Sequence, residues 1–221
     1  MTPQRAPWPA PPRPGRRRLL GALVGAPVAA VLASADGGAR AAETVPERRP
    51  WPARQPTPAL DLPVLDHAAR EGPRFRLEQA RGQVVLINFW ASWCEPCRSE
   101  MPSLELVAER FVREGLVVVA VNHRETDAAL RRFIEQMPIS LPILRDVDGA
   151  ASRSFGVRVY PTTVAIGRDG RAAFSAVGAT EWNAEPARGW LAALLARPTP
   201  PAASPTPTPT PTPTPKPKPR A

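Results

Sequence analysis

The chain has 221 residues, 31 of them proline, and a formal charge of +9. That length admits one domain of ordinary size with extensions, or two small ones. Residues 1–41 carry a net +5 and Lys216, Lys218 and Arg220 a further +3, which leaves +1 for residues 42–215. A near-neutral middle with charges of both signs is a solvated surface. A nucleic-acid-binding face would concentrate its basic residues, so nucleic acid is not expected as a partner.

Proline concentrates in residues 1–63 and 198–221, while the middle has ordinary globular composition, so one core flanked by two disordered ends is expected. In chain order, Gly15-Arg16-Arg17-Arg18 precedes an apolar run from Leu19 to about Ala35, with small-x-small sites at Ala33-Ser34-Ala35 and Ala39-Arg40-Ala41. This is the order of a secretory signal over 1–41, with cleavage near Ala41. Arg16-Arg17-x-Leu19-Leu20 also resembles a twin-arginine export signal. An uncleaved membrane anchor is the alternative, although the run is short and broken by Gly21, Gly25 and Pro27. Either way the chain is expected in the periplasm or cell envelope. Residues 42–57 lack hydrophobic periodicity and read as a linker.

Residues 58–197 carry the pattern of a folded domain. Val84–Trp90 is a buried strand, rich in β-branched and aromatic residues. A helix follows from about Cys94 to Arg113, with Met101, Leu104, Val107, Ala108 and Phe111 at helical spacing and Gly115 ending it. Leu116–Val121 is a second buried strand. Thr126–Met137 is a helix with Leu130, Phe133, Ile134 and Met137 on one face. Asp148–Phe155 is a shorter helix. Thr162–Ile166 and Ala172–Val177 form a hairpin around Arg168-Asp169-Gly170. A last helix runs from about Trp182 to Ala196. The expected architecture is a mixed α/β sheet covered by helices on both faces. From Pro198 the alternating Pro-Thr sequence cannot bury apolar surface and reads as an extended tail.

The chemistry rests on two cysteines, Cys94 and Cys97, at the junction of strand and helix. With no third cysteine, the pair is redox-active, metal-binding or inert. At a helix N-terminus, backbone N–H groups and the dipole favour a thiolate on Cys94. Two residues between the cysteines allow one sulfur to attack and the other to resolve the mixed disulfide. Pro96 lies in the first turn, where its missing N–H is tolerated. A zinc site needs about four ligands, and His67 and His123 are isolated. A copper pair would lack a completing Met or His cluster.

The segment Asn88-Phe89-Trp90-Ala91-Ser92-Trp93-Cys94-Glu95-Pro96-Cys97 resembles the active site of the thioredoxin superfamily, and specifically of TlpA/ResA-like envelope proteins. Pro102 matches the proline that kinks the active-site helix, Tyr160-Pro161-Thr162 the segment with a cis-proline facing the cysteines, and Thr126–Met137 the inserted helix. The resemblance implies a thioredoxin-like three-layer sandwich and a protein-disulfide reductase. Its redox group would be the Cys94–Cys97 disulfide, with no other cofactor and no metal. Where thioredoxins proper carry a buried aspartate, this chain has Asn88. Glu100, three residues after Cys97, matches the acidic residue of ResA-like proteins and would serve the resolving thiol. Trp93, Glu95, Pro96, Tyr160 and Pro161 would contact substrate, and Trp90 would pack in the core. Implied partners are disulfide-bearing proteins, apocytochrome c among them, and a membrane-embedded thiol donor; the protein would act as a monomer. The alternatives are an envelope disulfide oxidase and a copper metallochaperone using the same dithiol. A peroxidase is disfavoured because no separate Pro-x-x-x-Thr-x-x-Cys segment is present.

Overall fold

The computed structural model describes residues 46–66 and 70–198. The expected export signal, the Pro-Thr tail beyond Pro198 and His67 lie outside the described residues. The elements run β1 (Glu47–Pro50), β2 (Asp61–Leu65), β3 (Glu71–Arg76), β4 (Val84–Trp90), α1 (Glu95–Phe111), β5 (Leu116–His123), α2 (Asp127–Gln136), β6 (Ile143–Asp146), α3 (Ala150–Ser154), β7 (Thr162–Ile166), β8 (Ala172–Val177) and α4 (Ala187–Leu195). The strands form one sheet in the order β1-β8-β7-β4-β5-β6-β2-β3. β4, β5 and β6 are parallel, and the remaining neighbours are antiparallel.

β4 is central, and all seven of its residues are buried. Its side chains alternate between two cores, as the period of a strand requires. Val84, Leu86 and Trp90 pack with Met101, Leu104 and Val107 of α1, Leu130 and Phe133 of α2 and Leu191 of α4. Val85, Ile87 and Phe89 pack on the other side with Phe75, Leu77 and Phe155. The mixed sheet with covered faces is therefore as expected. Asn88 points toward the α1 side of this alternation.

Five elements differ from expectation, four strands and the start of the last helix. Glu47–Pro50, inside the stretch read as linker, is instead an edge strand paired with β8, Glu47 opposite Val177. Its four residues are exposed, so it has no apolar period to betray it; backbone hydrogen bonds and Arg48, 4.5 Å above the Phe174 ring, hold it. β2, β3 and β6 were not anticipated as separate strands: β3 buries only Phe75, and Pro63 and Pro73 interrupt the pattern. The last helix begins at Ala187 rather than Trp182, because Pro186 lacks an N–H and disfavours helix in the residue before it.

The end of the sheet where β4 begins is tied by one side chain. Arg168, in the β7–β8 turn, donates to the carbonyls of Gly82, Glu114, Leu195 and Arg197 at 2.7–3.1 Å. Gly115, at φ 81°, closes the segment after α1 in a left-handed conformation that a side chain would disfavour, and β5 starts at the next residue. The opposite end, where β4 and β5 finish, is left free for the site.

Candidate active site

Register alone brings the site together. Trp90, the last residue of β4, pairs with Asn122 of β5, and Phe89 pairs with Thr162, the first residue of β7. The loop after β4, the loop after β5 and the segment before β7 therefore meet at one end of the sheet, outside the carboxyl ends of the parallel strands.

Cys94 and Cys97 form a disulfide with Cα atoms 5.3 Å apart. Cys94 is the N-cap of α1, and its Sγ accepts from the Cys97 N–H at 3.3 Å. Cys94 is 6% exposed and Cys97 1%. Cys94, at the helix N-terminus, is thus the less deeply buried of the two cysteines. Pro96 lies in the first turn, and Pro102 lies inside α1, where it cannot donate to the carbonyl of Arg98. Glu95 is exposed and pairs with Arg98 at 3.1 Å.

The Tyr160–Pro161 bond is cis and Pro161 is buried; the pairing of Thr162 with Phe89 sets Tyr160 at the disulfide end of the sheet. The Tyr160 ring meets Trp93 edge-on at 6.2 Å and stacks on His123 at 4.9 Å. Trp93 is 68% exposed, whereas Trp90 is fully buried against Phe133. The sequence left His123 as an isolated strand-end residue. The structure puts it in this aromatic row, with Nδ1 3.1 Å from Ser152 Oγ. Ser152 itself donates to the buried Asp146 at 2.7 Å. Burial lowers the His123 pKa, opposed by Asp146 and assisted by Arg124 and Arg153.

Glu100 is 3% exposed on α1, one turn beyond Cys97. Its Oε1 accepts from Trp182 Nε1 at 2.7 Å, while Oε2 has no hydrogen-bond partner. Asn88, the position where thioredoxins proper have aspartate, donates to Thr163 at 2.9 Å in the same buried layer. Burial pushes the Glu100 pKa up to about 8, against the hydrogen bond from Trp182 and the nearby polar groups of Asn88, Thr163 and Thr180. A carboxyl held near the pKa of a thiol can exchange protons with one.

A cleft of about 760 Å³ runs beside the disulfide, lined by Pro96, Glu100, Tyr160, Pro161, Gly178 and Thr180 among others. Among the described residues no group of three or more His, Cys, Asp or Glu could hold a metal ion, and no helix is long and apolar enough to cross a membrane. Sequence reasoning missed Trp182, Thr163 and Glu125. Trp182 lies 82 residues from its partner Glu100, so no local signal links them.

Residues 53–174 match the AhpC/TSA family, more than half of the chain, and the protein belongs to that family. It is similar to the thiol-disulfide oxidoreductase ResA of Bacillus thuringiensis subsp. konkukian (strain 97-27), 33% identical over 101 residues, 46% of this chain and 58% of that relative. The chain thus spans less than two thirds of that relative's length. ResA of Bacillus anthracis is 31% identical over 121 residues, 55% of this chain and 69% of that protein. The crystal structure of a putative thiol:disulfide interchange protein DsbE from Chlorobium tepidum superimposes with a TM-score of 0.58 at 29% identity, covering 64% of this chain and 96% of that one. The thioredoxin-like fold expected from the sequence is therefore the observed one.

Proposed function

We propose that the protein is an exported thiol-disulfide oxidoreductase that reduces disulfides in protein substrates. The observation that carries this reading is the Cys94–Cys97 disulfide across the N-cap of α1, with Cys94 the less deeply buried of the two cysteines. In the reduced protein the Cys94 thiolate, favoured by the helix N-terminus, attacks one sulfur of the substrate disulfide. A mixed disulfide forms and one substrate thiolate leaves. Cys97 loses its proton to Glu100 in the ionised form of that carboxyl, whose fraction grows as pH approaches about 8, and attacks Cys94 Sγ. The second substrate thiolate departs, two electrons have passed to the substrate, and the protein holds the disulfide seen here.

The exposed Trp93, with Glu95 and Pro96, lines the approach, and the Tyr160 backbone at cis-Pro161 offers main-chain hydrogen bonds to an extended substrate segment. No further cofactor enters the scheme. Apocytochrome c fits as a substrate because its paired cysteines supply such a disulfide, and the resemblance to ResA-like proteins favours it. A membrane-embedded thiol donor in the cell envelope would restore the dithiol.

The direct test is trapping. Cys97→Ser leaves the attacking thiol without its resolving partner, so it accumulates mixed disulfides with substrate proteins, whereas Cys94→Ser does not. Accumulation by Cys94→Ser instead would reverse the two roles, and none by either variant would remove the exchange reading.

A further inference from the structure

The loop that carries the attacking cysteine is gripped from outside by a residue that no part of the scheme above uses. Glu125, in the turn between β5 and α2, reaches 33 positions back along the chain to Ser92. Its Oε2 accepts the Ser92 backbone N–H at 2.7 Å, and its Oε1 accepts the Ser92 hydroxyl. Asn122 Nδ2 donates to the same Oε2 at 2.6 Å. Three neutral donors thus converge on one carboxylate, and charge-assisted bonds of this kind are stronger than neutral ones. Ser92, which supplies two of the three donors, lies two residues before Cys94.

The turn that delivers Glu125 is itself unusual. Arg124 has φ 52°, and no other described residue apart from glycines has a positive φ. A side chain in the left-handed region costs free energy and persists where surrounding contacts over-determine it. Here the Arg124 N–H bonds the Asp146 carbonyl at 3.0 Å, fixing the reversal that points residue 125 at the redox loop.

The clamp matters most in one redox state. With the disulfide closed, the covalent bond holds Cys94 to α1. Once it opens, Cys94 keeps its carbonyl bonds to the Cys97 and Arg98 N–H groups at 3.1 and 3.2 Å and the Cys97 N–H to its Sγ at 3.3 Å, all on the helix side, whereas on the loop side only its own N–H to the Ala91 carbonyl at 3.2 Å restrains it. Trp93, largely exposed, adds only an edge contact to Tyr160. We propose that Glu125 is a positioning residue: its carboxylate clamps Ser92 and so keeps Cys94 in attacking geometry when the disulfide is open. This rests on the thiol-disulfide exchange reading.

The experiment is a double-mutant cycle of Ser92→Ala with Glu125→Ala on the full chain. Two quantities are measured: the rate of exchange of the reduced protein with glutathione disulfide, and the melting temperature of the oxidised and reduced forms. Misplacement of a reacting group by about 1 Å can cost a hundredfold, so Glu125→Ala should slow exchange by about tenfold or more. The double variant should be no slower than Glu125→Ala alone, because the two residues act through one contact. Melting should drop further in the reduced form than in the oxidised form. Glu125→Gln, which keeps one carbonyl acceptor, should restore part of the rate. Unchanged rates, additive losses, or equal melting shifts in the two redox forms would each overturn the clamp. If Glu125→Ala does not fold, the cycle with Glu125→Gln decides on the same criteria. A parent that fails to exchange with glutathione disulfide would count against the oxidoreductase reading, and the difference in melting shifts would then decide the clamp by itself.

Discussion

Replacing Glu100 by glutamine tests whether the fold holds this buried carboxyl neutral. The pKa of Glu100 rises from 4.5 to about 8, chiefly through burial. A raised folded pKa means that the native state keeps a proton that the unfolded chain releases between those two values. The stabilisation is fully present below about pH 4.5 and is lost as pH rises through about 8. At about 1.36 kcal/mol per unit, the loss amounts to at most about 5 kcal/mol. Glutamine keeps a carbonyl for the Trp182 hydrogen bond but cannot ionise. Urea unfolding of the oxidised proteins at intervals from pH 5 to pH 8 should show the parent losing several kcal/mol relative to Glu100→Gln. His123 works in the opposite sense, since its folded pKa is lowered and its contribution grows with pH. It is present in both proteins and cancels in the difference. Parallel stability profiles for the two proteins would refute the buried neutral carboxyl.

Two further outcomes follow from individual contacts. Arg168→Met removes a cationic donor from four backbone carbonyls at the end of the sheet remote from the disulfide. It should cost about 2–3 kcal/mol in chemical denaturation while leaving the reduction potential of the couple unchanged; a shifted potential would mean that this end of the fold is coupled to the site. Glu95→Gln and Glu95→His remove a negative charge beside Cys94 and should make the couple more oxidising, His further than Gln. Arg98 already offsets that charge from 3.1 Å and solvent screens it, so the Gln shift should stay below about 30 mV, measured by equilibration with glutathione. A shift toward more reducing values would contradict the reasoning.

The parts of this molecule that were legible in the sequence are those with local signatures. β4 announced itself as a continuous apolar run, the β7–β8 hairpin as two apolar segments around a Gly-containing turn, and the redox pair as two cysteines at a strand-to-helix junction. Strands with little buried surface were not legible. β1 exposes every residue and β3 all but Phe75, so their place in the sheet depends on backbone pairing rather than on hydrophobic period. The site divides the same way. Cys94, Cys97, Glu100 and Pro161 sit in short motifs, and the structure brings them to one end of the sheet. The hydrogen bond from Trp182 to Glu100, the clamp from Glu125 to Ser92 and the stacking of His123 on Tyr160 span 82, 33 and 37 positions in the chain. Each is created by sheet register and helix packing. The one nearby hint was positional: His123 and Glu125 lie where the second parallel strand ends, the place at which such sheets assemble their sites.

The central claim is that the Cys94–Cys97 couple donates electrons to protein disulfides. Its reduction potential, measured against glutathione or by direct equilibration with thioredoxin, tests this most directly. Glu95, exposed beside Cys94 and only partly offset by Arg98, disfavours the thiolate and with it the reduced form, while the neutral Glu100 adds no positive charge that would favour it. The potential should therefore lie nearer that of thioredoxin, about −270 mV, than that of the oxidant DsbA, about −120 mV. A value close to about −120 mV would contradict the reductase account and make the protein an oxidase.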